Sequence, residues 1–247
     1  MDTQAMDASA LLSVWEEGLS ESPLKRGLLL LAAAWPQTDE RQWAQVNIGY
    51  RDSCLIALRE QLFGNQLEAL GNCPQCGEIL ELNYTTEELQ RALPALVAPV
   101  EQLTVQRKGL EIACRLPNSE DLLAISAVDE QRKSLLHRCV KSVKKQSSQK
   151  PVKIASLNTD IEQYIVKEMA KADPYADIQI ALECPECKKH WSQTFDILTF
   201  LWGEIQDWAK RLLQDIHTIA LNYGWSERDI LAMSARRRRV YLEMLGA

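Results

Sequence analysis

The chain has 247 residues, a formal net charge of −6, 46% hydrophobic residues and 25% charged residues. That length suffices for one large domain or two small ones with a sizeable core, and the composition is ordinary for a globular protein. The acidic balance argues against nucleic acid as the main partner.

The N-terminal MDTQAMDASA lacks the basic and apolar regions of a secretion signal. The longest apolar run, GLLLLAAAW at 27–35, is about half of the ~20 residues a membrane helix needs. The expectation is a chain made in the cytoplasm with no membrane partner. Its seven cysteines, an odd count without a signal peptide, speak against a disulfide framework.

The first 65 residues read as helical. DASALLSVWEEG has apolar residues at helical spacing and stops at Gly18, while ESPLKRGLLLLAAAWP has Ser22 as N-cap, Pro23 at the first helical position and Pro36 as the stop. YRDSCLIALREQLFG places Cys54, Leu55, Leu58, Leu62 and Phe63 on one side and ends at Gly64. Beyond NCPQCG, the alternation of Ile79, Leu80, Leu82 and Tyr84 reads as a strand. EQLTVQRKGLEIACRLP reads as two strands joined near Lys108-Gly109. PNSEDLLAI has helix-start chemistry, and a helix is expected through DEQRKSLLHRCVKSV.

Between Gln131 and Thr159 there is no acidic residue against eight Lys or Arg, and KKQSSQKPVK lacks apolar periodicity. It reads as a mobile basic loop, either a solvated linker or a docking surface for an acidic partner. TDIEQYIVKEMAKADP is a further helix; ADIQIALE and HWSQTFDI are strands into and out of a second cysteine pair. From Asp196, Ile197, Leu198, Leu201, Ile205, Trp208, Leu212, Ile216 and Ile219 keep helical spacing, and Gly224 ends the run. WSERDILAMSARRRRVYLEML restarts as one helix capped by Ser226, with Ile230, Met233, Val240, Tyr241 and Met244 as its apolar stripe.

Cys73 and Cys76 form one Cys-x-x-Cys turn, and Cys184 and Cys187 a second, each with proline behind the first cysteine and each flanked by strand pattern. Such a turn aims two sulfurs at one point and directs backbone N–H groups at the thiolates. Two of them supply the tetrahedral sulfur set that Zn2+ prefers, which marks Cys73, Cys76, Cys184 and Cys187 as ligands of one structural zinc. The long separation is tolerable because closure entropy grows only logarithmically with loop length.

Rival readings stay open. A redox pair needs one Cys-x-x-Cys at a helix start, whereas both pairs here sit at strand ends. Catalytic zinc needs an open position and a general base. His190 could replace one sulfur, and Lys188 and Lys189 could offset the charge of a four-thiolate centre. The second turn lacks the counterpart of Gly77, so it is expected to be looser. Cys54, Cys114 and Cys139 read as small buried hydrophobes.

His137 and His217 lie on helical patterns without triad-like neighbours, and no Walker loop, dinucleotide fingerprint or nucleophile elbow occurs. Nothing points to an enzyme. In ARRRRV the arginines wrap the helix and suit its C-terminal dipole; Arg237, on the apolar stripe, should contact a carboxylate or a partner. Seven tryptophans mostly fit core packing, with one or two available as partner anchors.

The tail FDILTFLWGEIQDWAKRLLQDIHTIALNYGWSERDILAMSARRRRVYLEML, above all YGWSERDILAMSARRRRVYLEM (223–244) and LWGEI, resembles the C-terminal part of T4-type baseplate proteins of contractile-tailed phages and phage-tail-like injection particles. CPQCGEILEL and DPYADIQIALECPEC are similar to the cysteine-bearing middle of such proteins. The resemblance implies a non-enzymatic role in building the baseplate hub, as a structural part or an assembly chaperone, with hub or tail-tube proteins as partners. It brings no catalytic residues; the four cysteines come from spacing alone.

The expected fold is α+β and mainly helical, with N- and C-terminal helices around a split, four-cysteine zinc-ribbon-like element carrying an inserted subdomain. Its parts are a helical region at 1–70, the ribbon at 71–87 and 176–196, an inserted β-hairpin and helical region at 88–175 with a basic linker at 144–159, and a helical pair at 197–247. The alternative function is a zinc-ribbon nucleic-acid-binding regulator, and a third is a disulfide-exchange protein. Assembly is expected in the cytoplasm, with retention in the particle left open.

Overall fold

The computed structural model of the chain describes residues 6–91, 98–125 and 131–246. Over these residues the fold is α+β and 56% helical. It divides into two units, one of residues 38–197 and one joining residues 1–37 to 198–247. Among the described residues, no helix is long and apolar enough to cross a membrane.

Among the described residues, the regular elements of the two-segment unit are all helices. Helix α1 (Ala8–Gly18) starts where Asp7 accepts the N–H of Ala10 at 2.8 Å. Helix α2 (Pro23–Ala34) starts as the sequence suggests, with Ser22 accepting the N–H of Lys25 and Pro23 in the first turn. Arg26 closes the end of α1, donating Nε to Gly18 O at 2.8 Å while its guanidinium lies 4.6 Å from the Trp202 ring centroid. A Cβ at Gly18 would sit 2.4 Å from that indole, so the residue is glycine for room.

The C-terminal segment forms α9 (Ile197–Tyr223), α10 (Glu227–Leu231) and α11 (Ala235–Met244). The single terminal helix expected from the sequence is therefore two. Ser226 caps the first and Ser234, accepting the N–H of Arg237 at 3.2 Å, caps a second. A serine hydroxyl offers the backbone an alternative to continuing the helix, and here it prevails. The break resets the helical phase. Ile230 is buried, but Val240 is 41% and Met244 70% exposed, so the expected stripe does not form.

The unit of residues 38–197 holds every strand among the described residues. Its order is α3 (Glu40–Gln45), α4 (Ile48–Phe63), β1 (Gln66–Asn72), β2 (Ile79–Thr85), α5 (Thr86–Arg91), β3 (Leu103–Arg107), β4 (Leu110–Cys114), α6 (Ser119–Ile125), α7 (Gln131–Cys139), β5 (Val140–Lys145), α8 (Thr159–Ala172), β6 (Gln179–Glu183) and β7 (His190–Thr194). The strands make three antiparallel sheets, β1-β2, β3-β4-β5 and β6-β7. Lys108 (φ 48°) and Gly109 (φ 72°) link β3 to β4, the two positive φ angles that a two-residue hairpin of matching twist requires.

Strand β5 corrects the sequence reading, which carries a helix through Val143 and a loop from Lys144. The residues joining α6 to α7 in that reading, 126–130, lie outside those described. Val140 and Val143 are both buried, a spacing of three that imitates a helix. A bulge produces it: Cys114 pairs with Val140 but Ile112 with Val143, which leaves Lys141 as the extra residue. Of the stretch read as a basic loop, 144–159, only Lys144 and Lys145 belong to this strand; a tight return follows, in which Val152 N–H donates to Val143 O at 2.8 Å. The sheet packs its inner face, with Ile112, Cys114, Val140 and Val143, against Leu157, Ile161, Ile165 and Met169.

Buried polar groups pin this unit together. Asp173, 3% exposed, accepts from Asn47 Nδ2 at 2.7 Å and from Gly49 N–H at 3.1 Å. Asp121, fully buried, is held by Arg115 and by Arg138 Nε at 2.9 Å. Burial alone would raise the Asp121 pKa, but donors from Arg115, Arg138 and the Asn118 N–H hold it below the usual carboxylate value.

Two measurements probe these contacts. A Cβ at Gly49 would meet Asp173 Oδ1 at 2.0 Å, whereas one at Gly203, inside α9, meets nothing within 4 Å. Gly49→Ala is expected to lose about 2–3 kcal/mol in urea unfolding, and Gly203→Ala to gain about 0.5–1 kcal/mol. The stabilisation from Asp121 is complete above its unfolded pKa of about 4 and is lost as pH falls through its lower folded value. Asp121→Asn should therefore cost about 2 kcal/mol at neutral pH, below the ~3–5 of a sealed pair because Arg115 and Arg138 keep 27% and 44% of their side-chain surface exposed. Its stability should also decline less than that of the wild type between about pH 5 and about pH 2.

Candidate metal centre

Each cysteine pair caps its own hairpin. The β1-β2 register ends on Asn72 opposite Ile79, and the β6-β7 register on Glu183 opposite His190. In the first turn Cys73 N–H donates to Glu78 O at 2.9 Å and Gly77 N–H to Cys73 O at 3.0 Å; in the second, Cys184 N–H donates to Lys189 O at 2.9 Å and Lys188 N–H to Cys184 O at 3.1 Å. The two turns are the same turn. Gly77 has φ 78° and Lys188 has φ 57°, so the lysine adopts the left-handed conformation that the glycine adopts freely. The expectation of a looser second turn is corrected: the hydrogen bonds close it equally tightly, and backbone strain is the cost.

The hairpins meet through their inner faces. Leu67 and Leu182 are buried, and the Cβ position of Gly71 lies 3.2 Å from Leu82 and 3.4 Å from Gln193 Oε1. A larger residue at position 71 would press first on Leu82 of its own hairpin and then on the tip of Gln193. Strand β1 is not legible in the sequence, since QLEALGN has no β-branched or aromatic residue and contains a glycine.

All four sulfurs converge. Cys73 Sγ lies 3.6 Å from Cys187 Sγ and Cys76 Sγ lies 3.5 Å from Cys184 Sγ, pairs 114 and 108 residues apart in the chain. The four atoms lie within 4.8 Å of one another. These separations exclude a disulfide, whose sulfurs stand about 2.05 Å apart. They suit a tetrahedron: Zn–S bonds of about 2.3 Å place the sulfurs about 3.8 Å apart. Cys73 and Cys184 are buried, Cys187 is half-buried and Cys76 is exposed.

Electrostatics carry the same message. Burial opposes ionisation of Cys73, yet the N–H groups of Cys76 and Gln75 and the neighbouring thiols outweigh it and bring its pKa down to about 6. At Cys76 the Glu78 N–H favours the thiolate, but burial and the three adjacent sulfurs override it and push the pKa up to about 12. Cys187 is also raised: the Lys189 N–H lowers it, while burial and the Cys73 and Cys184 sulfurs prevail. One thiolate forms readily and makes the next ones expensive. Four can coexist only beside a cation, so the donor set fits a metal ion of soft preference.

The remaining cysteines behave differently. Burial pushes Cys54 and Cys114 up to about 11 and Cys139 up to about 12, which leaves them inert thiols. His190 is not among the clustered ligand atoms; its Nδ1 lies 4.0 Å from Glu183 Oε2 and its side chain is 77% exposed. Among the described residues, the four-cysteine group is the one set of three or more potential ligands close enough to share an ion.

An α+β chain with two cysteine-capped hairpins brought together over such a distance defines a protein organised around a candidate metal centre. The family model described as T4 bacteriophage base plate protein matches residues 30–202, more than two thirds of the chain, and the chain belongs to that family. The match includes all four clustered cysteines and stops within α9, short of the terminal arginines that carry the resemblance noted in the sequence. No curated protein and no solved structure matches the chain.

The strained lysine can be tested directly. Lys188→Gly should stabilise the protein by about 1 kcal/mol in denaturant unfolding, by relieving a left-handed non-glycine residue. Gly77→Lys should cost a similar amount, and unchanged stability in both variants would mean that the turn carries no strain.

Proposed function

We propose that Cys73, Cys76, Cys184 and Cys187 hold one structural Zn2+, and that the chain is a non-enzymatic baseplate hub component or hub-assembly chaperone of a contractile tail or tail-like injection particle. The observation that carries the metal reading is the meeting of four sulfurs from two hairpins, at spacings that suit tetrahedral thiolate coordination. Membership of the baseplate family carries the assembly reading. When bound, the zinc supplies the positive charge that lets four thiolates share one small volume.

The protein's own residues do the rest. Backbone N–H groups of the two turns face the sulfurs, and Gly71 lets the hairpins approach. The metal then joins the ends of a long excursion. In this reading the hairpins are a split zinc ribbon at 71–87 and 176–196, and residues 88–175 are a subdomain inserted between its halves. Structural zinc binds small peptides with an apparent ~10–16 kcal/mol, comparable with the roughly 5–15 kcal/mol net stability of a domain. The ion therefore decides whether this region folds. Four thiolates fill the zinc shell and leave no position for substrate, which supports a structural rather than a catalytic ion. The partners are hub or tail-tube proteins, met in the cytoplasm during assembly.

Metal analysis of the purified protein should find about one zinc per chain, and cobalt-substituted protein should show the absorption of a four-thiolate site. Cys184→Ser should lose the metal and unfold at lower temperature, while Cys54→Ser should keep both. Metal content unaltered by Cys184→Ser would remove that residue from the ligand set. Copurification with co-expressed hub or tube proteins, resistant to nuclease, is expected. Salt-sensitive binding to DNA without such copurification would instead favour a nucleic-acid regulator.

A further inference from the structure

Helices α9 and α11 border a cleft of about 720 Å³, within the unit of residues 1–37 and 198–247. Trp208 and Leu212 give it an apolar wall, and Arg211, Arg238 and Arg239 bring it three guanidinium groups. The sequence points to Arg237 as the arginine needing a partner, but Arg237 is exposed and turns to its own helix, with its guanidinium 5.8 Å from the Tyr241 ring centroid. Arg238 is the buried one, at 5% exposure.

Arg238 Nη1 donates to Met233 O at 2.6 Å, while its Nε is sealed from water and has no acceptor. That Nε is closed to a ligand as it is to water, so a ligand in the cleft would meet only the part of the guanidinium that lines it. Asp215 acts on Arg238 through space rather than through a hydrogen bond. Burial raises the Asp215 pKa, and the attraction of Arg238, Arg239 and Arg211 offsets only part of that rise. Three guanidinium groups thus face two carboxylates, Asp215 and Glu243, in the lining of the cleft.

We propose that this cleft receives an acidic segment of a partner protein, with one carboxylate at the Arg238 guanidinium and apolar side chains against Trp208 and Leu212. Charge complementarity selects the carboxylate, and the apolar wall selects a protein segment. A polyphosphate or nucleic-acid strand fits less well, because Asp215 and Glu243 line the same cleft and repel dense negative charge, while the indole wall lies idle. The inference rests on the chain's role as a binding component and goes beyond the metal centre, which it does not require.

The test is a titration of the full chain with a fluorescein-labelled amphipathic peptide carrying glutamates beside leucines, and with the same peptide carrying glutamine at each glutamate. The glutamate peptide should bind saturably and roughly tenfold more tightly than the glutamine peptide. Arg238→Gln should weaken it by a similar factor, Arg239→Gln by less, and Arg236→Gln not at all. Arg239 is exposed, so its variant keeps the test decisive if Arg238→Gln fails to fold. Absence of saturable binding, equal binding of the two peptides, an unaltered affinity in Arg239→Gln, or tighter binding of inorganic tripolyphosphate than of the glutamate peptide would each overturn the proposal. Zinc content read on the same samples should stay constant across the arginine variants, so a failure here is distinguishable from a failure of the metal reading.

Discussion

Four sulfurs in one small volume set the problem that this fold answers. Thiols at 3.5–3.6 Å gain little from one another, and thiolates at that distance repel. A chain that gathers them from positions 108 and 114 residues apart also loses the entropy of closing those loops, although the loss grows slowly with length. Hydrophobic contact between the hairpins is slender, and the outward side of β1-β2 leaves Leu70 and Ile79 mostly in water. The arrangement makes physical sense around a cation.

The rest of residues 38–197 is held by other means. The β3-β4-β5 sheet and α8 share an apolar core of ordinary kind, while Asp173 and Asp121 fasten distant segments through buried hydrogen bonds. Those carboxylates are specific joints, since each accepts from particular donors that a shifted register would leave unpaired. The unit thus has an apolar core and polar joints at one place, and a sulfur cluster at another.

What the sequence discloses is mostly what short-range chemistry decides. Ser22-Pro23, Gly64 and Ser226 mark helix boundaries because capping is settled within a few residues. The cysteine turns are legible for the same reason. The hidden features depend on distant partners. Val140 and Val143 imitate a helix because a bulge between them, at Lys141 opposite the Ala113-Cys114 step, absorbs a residue. Ser234 reads as an ordinary helical serine until it breaks the run, and the change of phase then buries Arg238 instead of Arg237. Lys188 hides its left-handed backbone because only the matching hydrogen bonds of the first turn reveal it. A comparison of the two turns, position by position, carries a faint signal of it.

The order of the cysteines along the chain has a consequence for biosynthesis. A ribosome adding about 5–20 residues per second needs roughly 5–20 s to travel from the first turn to the second. Throughout that interval Cys73 and Cys76 stand as half of a cluster, open to oxidants and to stray metal ions. Cells that make this chain quickly, under reducing conditions and with free metal kept scarce, shorten and quiet that exposure.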